Sequence, residues 1–158
     1  MKAQAKYYYN IKKPGTYMYH CHVEATEHMQ MGKLGNLYVR PAQDGTLING
    51  FEKFAYNDGD GSTGYDVDFP IQMWSFDSAY HIASETVQPL PFAMMRDDYG
   101  MINGRGYPDT VKEIELTNAS VPPDHLGGVK NTQRVHSVVR AVAGQRVLLR
   151  ISNLNVTN

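Results

Sequence analysis

The sequence predicts an all-β fold, and three observations carry that expectation. Long stretches of 3.6-residue periodicity are missing, short runs rich in Tyr, Val, Thr and Phe recur, and 14 Gly and 8 Pro punctuate them. Short β runs separated by long loops suit a sandwich or a barrel. With 42% hydrophobic and 20% charged residues over 158 positions, the chain has the apolar content for a packed core.

The runs are as follows. Residues 5–11 (AKYYYNI) read as a strand, turned by Lys13, Pro14 and Gly15. Residues 16–22 (TYMYHCH) form a second strand, and residues 36–40 (NLYVR) a third, stopped by Pro41. Between them, VEATEHMQMG reads as a helical turn or loop before Gly32 and Gly35. Residues 57–64 (NDGDGSTG) read as a flexible linker or turn. Asp58, Asp60 and Ser62 alternate there as calcium ligands do. The glycine of a calcium loop is displaced, however, and Phe69 stands where a bidentate Glu is needed, so a solvated turn is the better reading. Strand character resumes over 65–76 (YDVDFPIQMWSF), with 70–76 its firmest part. QPLP, GRGYPD and VPPDHLGG are too rich in Pro and Gly for regular structure. Two further strands are expected at 134–142 (RVHSVVRAV) and 145–153 (QRVLLRISN), with Ala143 and Gly144 at the turn.

Composition also excludes. A formal net charge of −1, with no basic run interleaved with aromatics, argues against nucleic acid as a partner. The longest apolar stretches are a few residues, as in RVLLRIS, too short to span a membrane. The opening MKAQAKYYYN has lysines but no apolar centre and does not read as a secretory leader. One cysteine leaves no internal disulfide, only a free thiol, a metal thiolate or an intermolecular bridge.

That cysteine sits in the most reactive stretch of the chain. His20, Cys21, His22 and His28 fall within nine residues. On a strand, residues i and i+2 share a face, so His20 and His22 project together with Cα atoms roughly 6.5 Å apart. Cys21 projects from the opposite face. There its sulfur, joined by His28 from the following loop, supplies the soft thiolate and imidazole that copper favours in electron-transfer sites. Two metal sites would then be linked by a short covalent route through the backbone of Cys21. Zinc takes the same ligands, and an unligated reading also stands, with surface histidines and a small buried thiol.

At this point the residues resemble a family. PGTYMYHCHVEATEHMQMGKLGNLYVRP is similar to the copper-binding strand and loop of the multicopper oxidases, the laccase-like enzymes. Further on, YDVDFPIQMWSF, MINGRGYPD and VAGQRVLLRISNLNV resemble the opening strands of the next domain in that family, where an ING motif and a Gly-x-Arg-x-x-x-Arg strand recur. The resemblance is weakest over 111–133. It implies a cupredoxin-like Greek-key β-sandwich and a copper enzyme taking electrons singly from a small reductant, a phenol or a metal ion, to reduce dioxygen to water. It also implies that Cys21 and His28 are ligands of the blue, type 1 copper, and that His20 and His22 serve the trinuclear cluster. A secreted or periplasmic parent protein is expected on the same ground.

Three departures from the family pattern stand out. The gap from His22 to His28 is longer than usual, so the loop must bulge. Lys33 occupies the axial position where Met, Leu or Phe is usual, with Met29 or Met31 as possible substitutes. The family's upstream HxH motif and upstream type 1 histidine have no counterpart here. The expected layout is therefore the back half of one cupredoxin domain over 1–41, a linker over 42–64, and the front half of the next domain over 65–158. Half-sandwiches leave unpaired edges, so a homo-oligomer or strand-exchanged assembly is expected, with closure of the two halves within one chain as the rival.

The remaining candidates carry less. His81, His125 and His136 lack partner motifs and read as structural or surface histidines. Asp97 and Asp98 read equally as an acidic pair or a solvated turn. Asn118 and Asn155 open glycosylation sequons, a pattern too short to weigh. No Gly-x-Ser-x-Gly elbow or phosphate loop supports a hydrolase or nucleotide-binding reading.

Overall fold

The computed structural model describes residues 5–86, 89–113, 116–117, 131–132 and 135–155. The fold is all-β and cupredoxin-like. Among the described residues there are eight strands: β1 (Gly15–His20), β2 (Leu34–Val39), β3 (Val67–Phe76), β4 (Tyr99–Ile102), β5 (Arg105–Gly106), β6 (Leu116–Thr117), β7 (Asn131–Thr132) and β8 (Val147–Asn153). Two short helices, α1 (Ala25–Gln30) and α2 (Ser78–Ala83), interrupt them.

β1 and β2 form an antiparallel hairpin whose register pairs Gly15 with Val39 and His20 with Leu34. A second sheet runs β5-β4-β3-β8. Read from the other side, the last strand of the chain returns to lie beside β3, the first strand of this sheet. Here the returning strand β8 lies parallel to β3, from Val67 opposite Val147 to Met73 opposite Asn153. β6 and β7 pair with each other.

Pro70 sits inside the long β3, where its missing N–H takes one hydrogen bond from the ladder. The Asn103 side chain resolves this. Asn103 and Gly104 both have positive φ in the two-residue turn between β4 and β5, the geometry that favours Asn-Gly. From that turn the Asn103 amide accepts from the Gln72 N–H at 2.9 Å and donates to the Pro70 carbonyl at 2.9 Å. The ING motif thus stands in for a strand at the free edge of β3.

β8 alternates cleanly, but in an unusual sense. Arg150 and Ser152 are buried against the hairpin, while Val147, Leu149 and Ile151 are exposed. Ser152 and Asn36 share a hydrogen bond of 2.5 Å between their side chains. The Arg150 guanidinium lies over the Tyr38 ring and donates to the Tyr65 hydroxyl, to Asp68 and to Thr16. These contacts set the hairpin face to face with the second sheet.

Two expected strands are not strands. Residues 5–12 are irregular, with Tyr7, Tyr8 and Tyr9 exposed. Their composition suits a ladder, but among the described residues no neighbouring strand pairs with them, and a strand exists only through its partner. Residues 136–142 are irregular too. There the backbone is taken up by side chains: Arg105 donates to the Val135 carbonyl and Asn103 to the His136 carbonyl. Ser137 in turn donates to the Ile102 carbonyl. Residue 134 lies outside the described residues, as do His125, Asn118 and the VPPDHLGG stretch.

The 57–64 segment is a turn, as expected, but a tightly bonded one. The Asp58 carboxylate accepts from Gln43, from the Gly61 and Thr63 N–H groups and from the Thr63 hydroxyl. The hydrogen bond from Gln43, then that from Thr63, hold its pKa well below the usual carboxylate range. Beside this turn Phe54 is fully buried, its N–H bonded to Asp44 at 2.9 Å.

Candidate metal centre

β1 ends at His20, two residues earlier than expected. One more rung forms, from the Cys21 N–H to the Lys33 carbonyl at 3.1 Å. The chain then turns away, and Glu24, in the left-handed region at φ 52°, opens α1. The helix ends at Gln30, and just past its C-cap Gly32 turns to φ 84°, a conformation that glycine adopts without strain. Lys33 closes the loop from both sides, because its N–H donates to the His28 carbonyl at 2.9 Å.

This loop brings the four predicted residues together as two pairs. The rings of His20 and His22 stack with centroids 5.8 Å apart and planes inclined by 26°. Cys21 Sγ turns to the helix and meets His28 Nδ1 at 2.9 Å. The sulfur also lies 3.0 Å from the Val23 carbonyl, which can accept its proton. His28 Nε2 faces the Glu24 carboxylate at 3.8 Å.

The chemistry of each pair follows from its hydrogen bonds. His20 Nδ1 lies 2.8 Å from the Cys21 carbonyl. A carbonyl only accepts, so Nδ1 carries the proton and Nε2 keeps its lone pair, the tautomer a metal ligand needs. At the other pair, sulfur and Nδ1 converge without an intervening group. A tetrahedral metal bonded to both would hold them about 3.5 Å apart, so the pair fits an ion after opening by roughly half an ångström. Among the described residues no group of three or more His, Cys, Asp or Glu is placed to hold one metal ion.

The Lys33 side chain is exposed, and only its backbone serves the loop. Met31 turns its sulfur to α2, where the Ser84 hydroxyl approaches at 4.0 Å. Of the remaining histidines, His81 packs on Phe76 with centroids 3.9 Å apart, and His136 on Phe69 at 5.4 Å.

One important residue carried no signal in the sequence. Gln30, at the end of α1, is fully buried. Its Nε2 donates to Asp97 Oδ1 at 2.8 Å, and its Oε1 accepts from the Asp77 N–H at 3.3 Å. Asp77 caps α2 by accepting from the Tyr80 N–H, and also accepts from Arg96. Burial pushes the Asp77 carboxyl up, but the N–H donors of Arg96, Tyr80 and Ala79 outweigh it and hold the group below the usual range. Asp98 accepts from the Ser78 hydroxyl at 2.8 Å. Asp97 and Asp98 are thus bonded corners of the fold.

Against this geometry stands the comparison with known proteins. Residues 2–43 match the family model described as multicopper oxidase. No curated protein and no solved structure matches the chain. The match covers the β1–β2 hairpin, α1 and all four of His20, Cys21, His22 and His28. For this opening quarter of the chain it supports a copper oxidoreductase family.

Proposed function

We propose that the chain works as part of a copper-dependent oxidoreductase of the laccase-like type, oxidising a small reductant by single electrons and reducing dioxygen to water. The observation that carries this reading is the convergence of Cys21 Sγ and His28 Nδ1 at 2.9 Å inside the segment the family model matches. Cys21 and His28 would hold the type 1 copper that accepts electrons. His20 and His22 would serve the oxygen-reducing trinuclear cluster. Copper supplies the one-electron chemistry when bound. The chain itself orients the donors: the Cys21 carbonyl fixes the His20 tautomer, and the Lys33 backbone holds the loop that carries His28.

In this reading residues 1–41 are the back half of one cupredoxin domain, 42–64 a connector and 65–158 the front half of the next. The reductant is a phenol or a metal ion, and the parent protein is secreted or periplasmic, as is typical of the family. The net charge of −1 supports a partner other than nucleic acid. No helix among the described residues is long and apolar enough to cross a membrane.

A second reading, a copper- or zinc-binding cupredoxin module without turnover, is favoured by one observation. The donors come in two pairs, each short of the three or four protein ligands of a complete site. Donors from a second copy would reconcile the two readings, and the exposed face of Val147, Leu149 and Ile151 supports association. Copper(II) addition with a phenolic dye separates them. Dye oxidation that depends on copper and is lost in His20→Ala is the outcome expected of the oxidase. Copper uptake without turnover leaves the module. Light scattering gives the assembly: a concentration-independent monomer mass would exclude association.

A further inference from the structure

We infer that Gln30 is a positioning residue for the Cys21–His28 pair, clamped by Asp97 and Asp77 from the segment between β3 and β4. The inference rests on the metal-site reading above for its functional meaning, and on geometry for its substance. α1 is six residues long and has no side-chain cap at its N-terminus. A helix that short does not persist by its own hydrogen bonds, so its placement comes from tertiary contacts. The one buried residue in it is Gln30, an amide. A buried amide is costly unless bonded, and here both its donor and its acceptor find partners.

The helix geometry turns this anchor into control of the site. Successive residues on a helix are rotated by about 100°, so His28 and Gln30 point to nearly opposite sides. His28 faces Cys21 while Gln30 faces the corner between the end of β3 and the start of β4. Fixing Gln30 therefore fixes the roll of α1 about its axis, and with it the approach of His28 to the sulfur. The corner is rigid in turn: Asp77 accepts from Tyr80 and Arg96, and the Asp98 N–H donates to the Phe76 carbonyl at 2.9 Å. A residue 67 positions along the chain thus holds the imidazole of the candidate site.

The test reads the metal-free chain first. The probe is a chromogenic disulfide reagent that reports the modification rate of Cys21, the only thiol present. Asp97→Ala should raise that rate about tenfold, the factor by which loss of one buried hydrogen bond shifts a local opening equilibrium. Asp97→Asn retains an acceptor for the Gln30 amide and should stay within about twofold of the parent. Gln30→Leu should match Asp97→Ala where it folds, and the two Asp97 variants decide the matter where it does not. A parental rate in Asp97→Ala, or an equal acceleration in Asp97→Asn, would overturn the clamp. Copper(II) alone is then added to the same proteins. A sulfur-to-copper band weakened in Asp97→Ala and restored in Asp97→Asn ties the clamp to the metal site. A band of equal strength in all of them overturns that tie. If the parent shows no band, the metal reading fails while the thiol rates still judge the clamp.

Discussion

The hairpin that carries the candidate site and the body that follows it are held together by different physics. In the body, Phe54, Tyr65, Phe69, Tyr80, Leu90 and Leu154 are buried and form the apolar core. Among the described residues of the first 41, the buried positions are Gln30, Gly35 and Pro41. β1 is exposed along almost its whole length. The hairpin is kept in place by directional polar contacts: Gln30 on Asp97 and Asp77, Asn36 on Ser152, Thr16 and Tyr38 on Arg150. The lesson is that fold stability and site geometry rest on separate sets of residues. Each set can be damaged with limited effect on the other.

The sharpest way to break that separation is in the core. Phe54→Ala should cost about 4 kcal/mol, the range for emptying a fully buried aromatic position. Urea unfolding measures it, and the Cys21 modification rate under native conditions should change little. Next comes Arg150→Ala, which removes a buried guanidinium bonded to Asp68 and Tyr65 and should cost about 3 kcal/mol. Unlike Phe54→Ala, it should also loosen the hairpin, seen as faster amide exchange at Thr16 and Asn36. Asp77→Ala should cost about 1 kcal/mol through loss of the α2 cap.

Acid sharpens the comparison further, because the depressed carboxylates Asp58, Asp60 and Asp77 all belong to the body. Their folded-state pKa values lie below the unfolded one, so the unfolded chain takes up protons first as pH falls. Their stabilisation is complete above pH 3.8, the ordinary Asp value, and is lost progressively below it. The urea midpoint should therefore fall as pH is lowered from about 4 to about 2, below the ordinary carboxylate value. Asp58→Asn should flatten that drop. The smallest effect belongs to the exposed ion pair of Arg140 with Glu113. Arg140→Ala should change stability by less than about 0.5 kcal/mol in the same melts.

Legibility in the sequence followed the range of the interactions. The pairing of His20 with His22 and of Cys21 with His28 was readable, because it depends on neighbours within nine positions. β3, β8 and the turns at Gly and Pro were readable for the same reason. The runs at 5–11 and 134–142 have strand composition, yet a ladder needs a partner, and composition does not say whether one is free. The carbonyls of Val135 and His136 accept from the Arg105 and Asn103 side chains instead, a choice invisible in the run itself. Strand β1 ends at His20 and the chain then turns left-handed at Glu24, which no residue type there demanded. Gln30 reads as an ordinary helix residue, and only the fold brings Asp77 and Asp97 to it. Lys33 drew attention through its charge, whereas its backbone N–H and carbonyl are what the loop uses.

The central claim is that Cys21 and His28 share one metal ion. Copper(II) titration of the purified chain, followed by visible absorption, tests it most directly. The account predicts an intense sulfur-to-copper band in the parent, lost in both Cys21→Ser and His28→Ala and kept in His20→Ala. A band that survives in His28→Ala, or a parent that takes up copper with no such band, would contradict it.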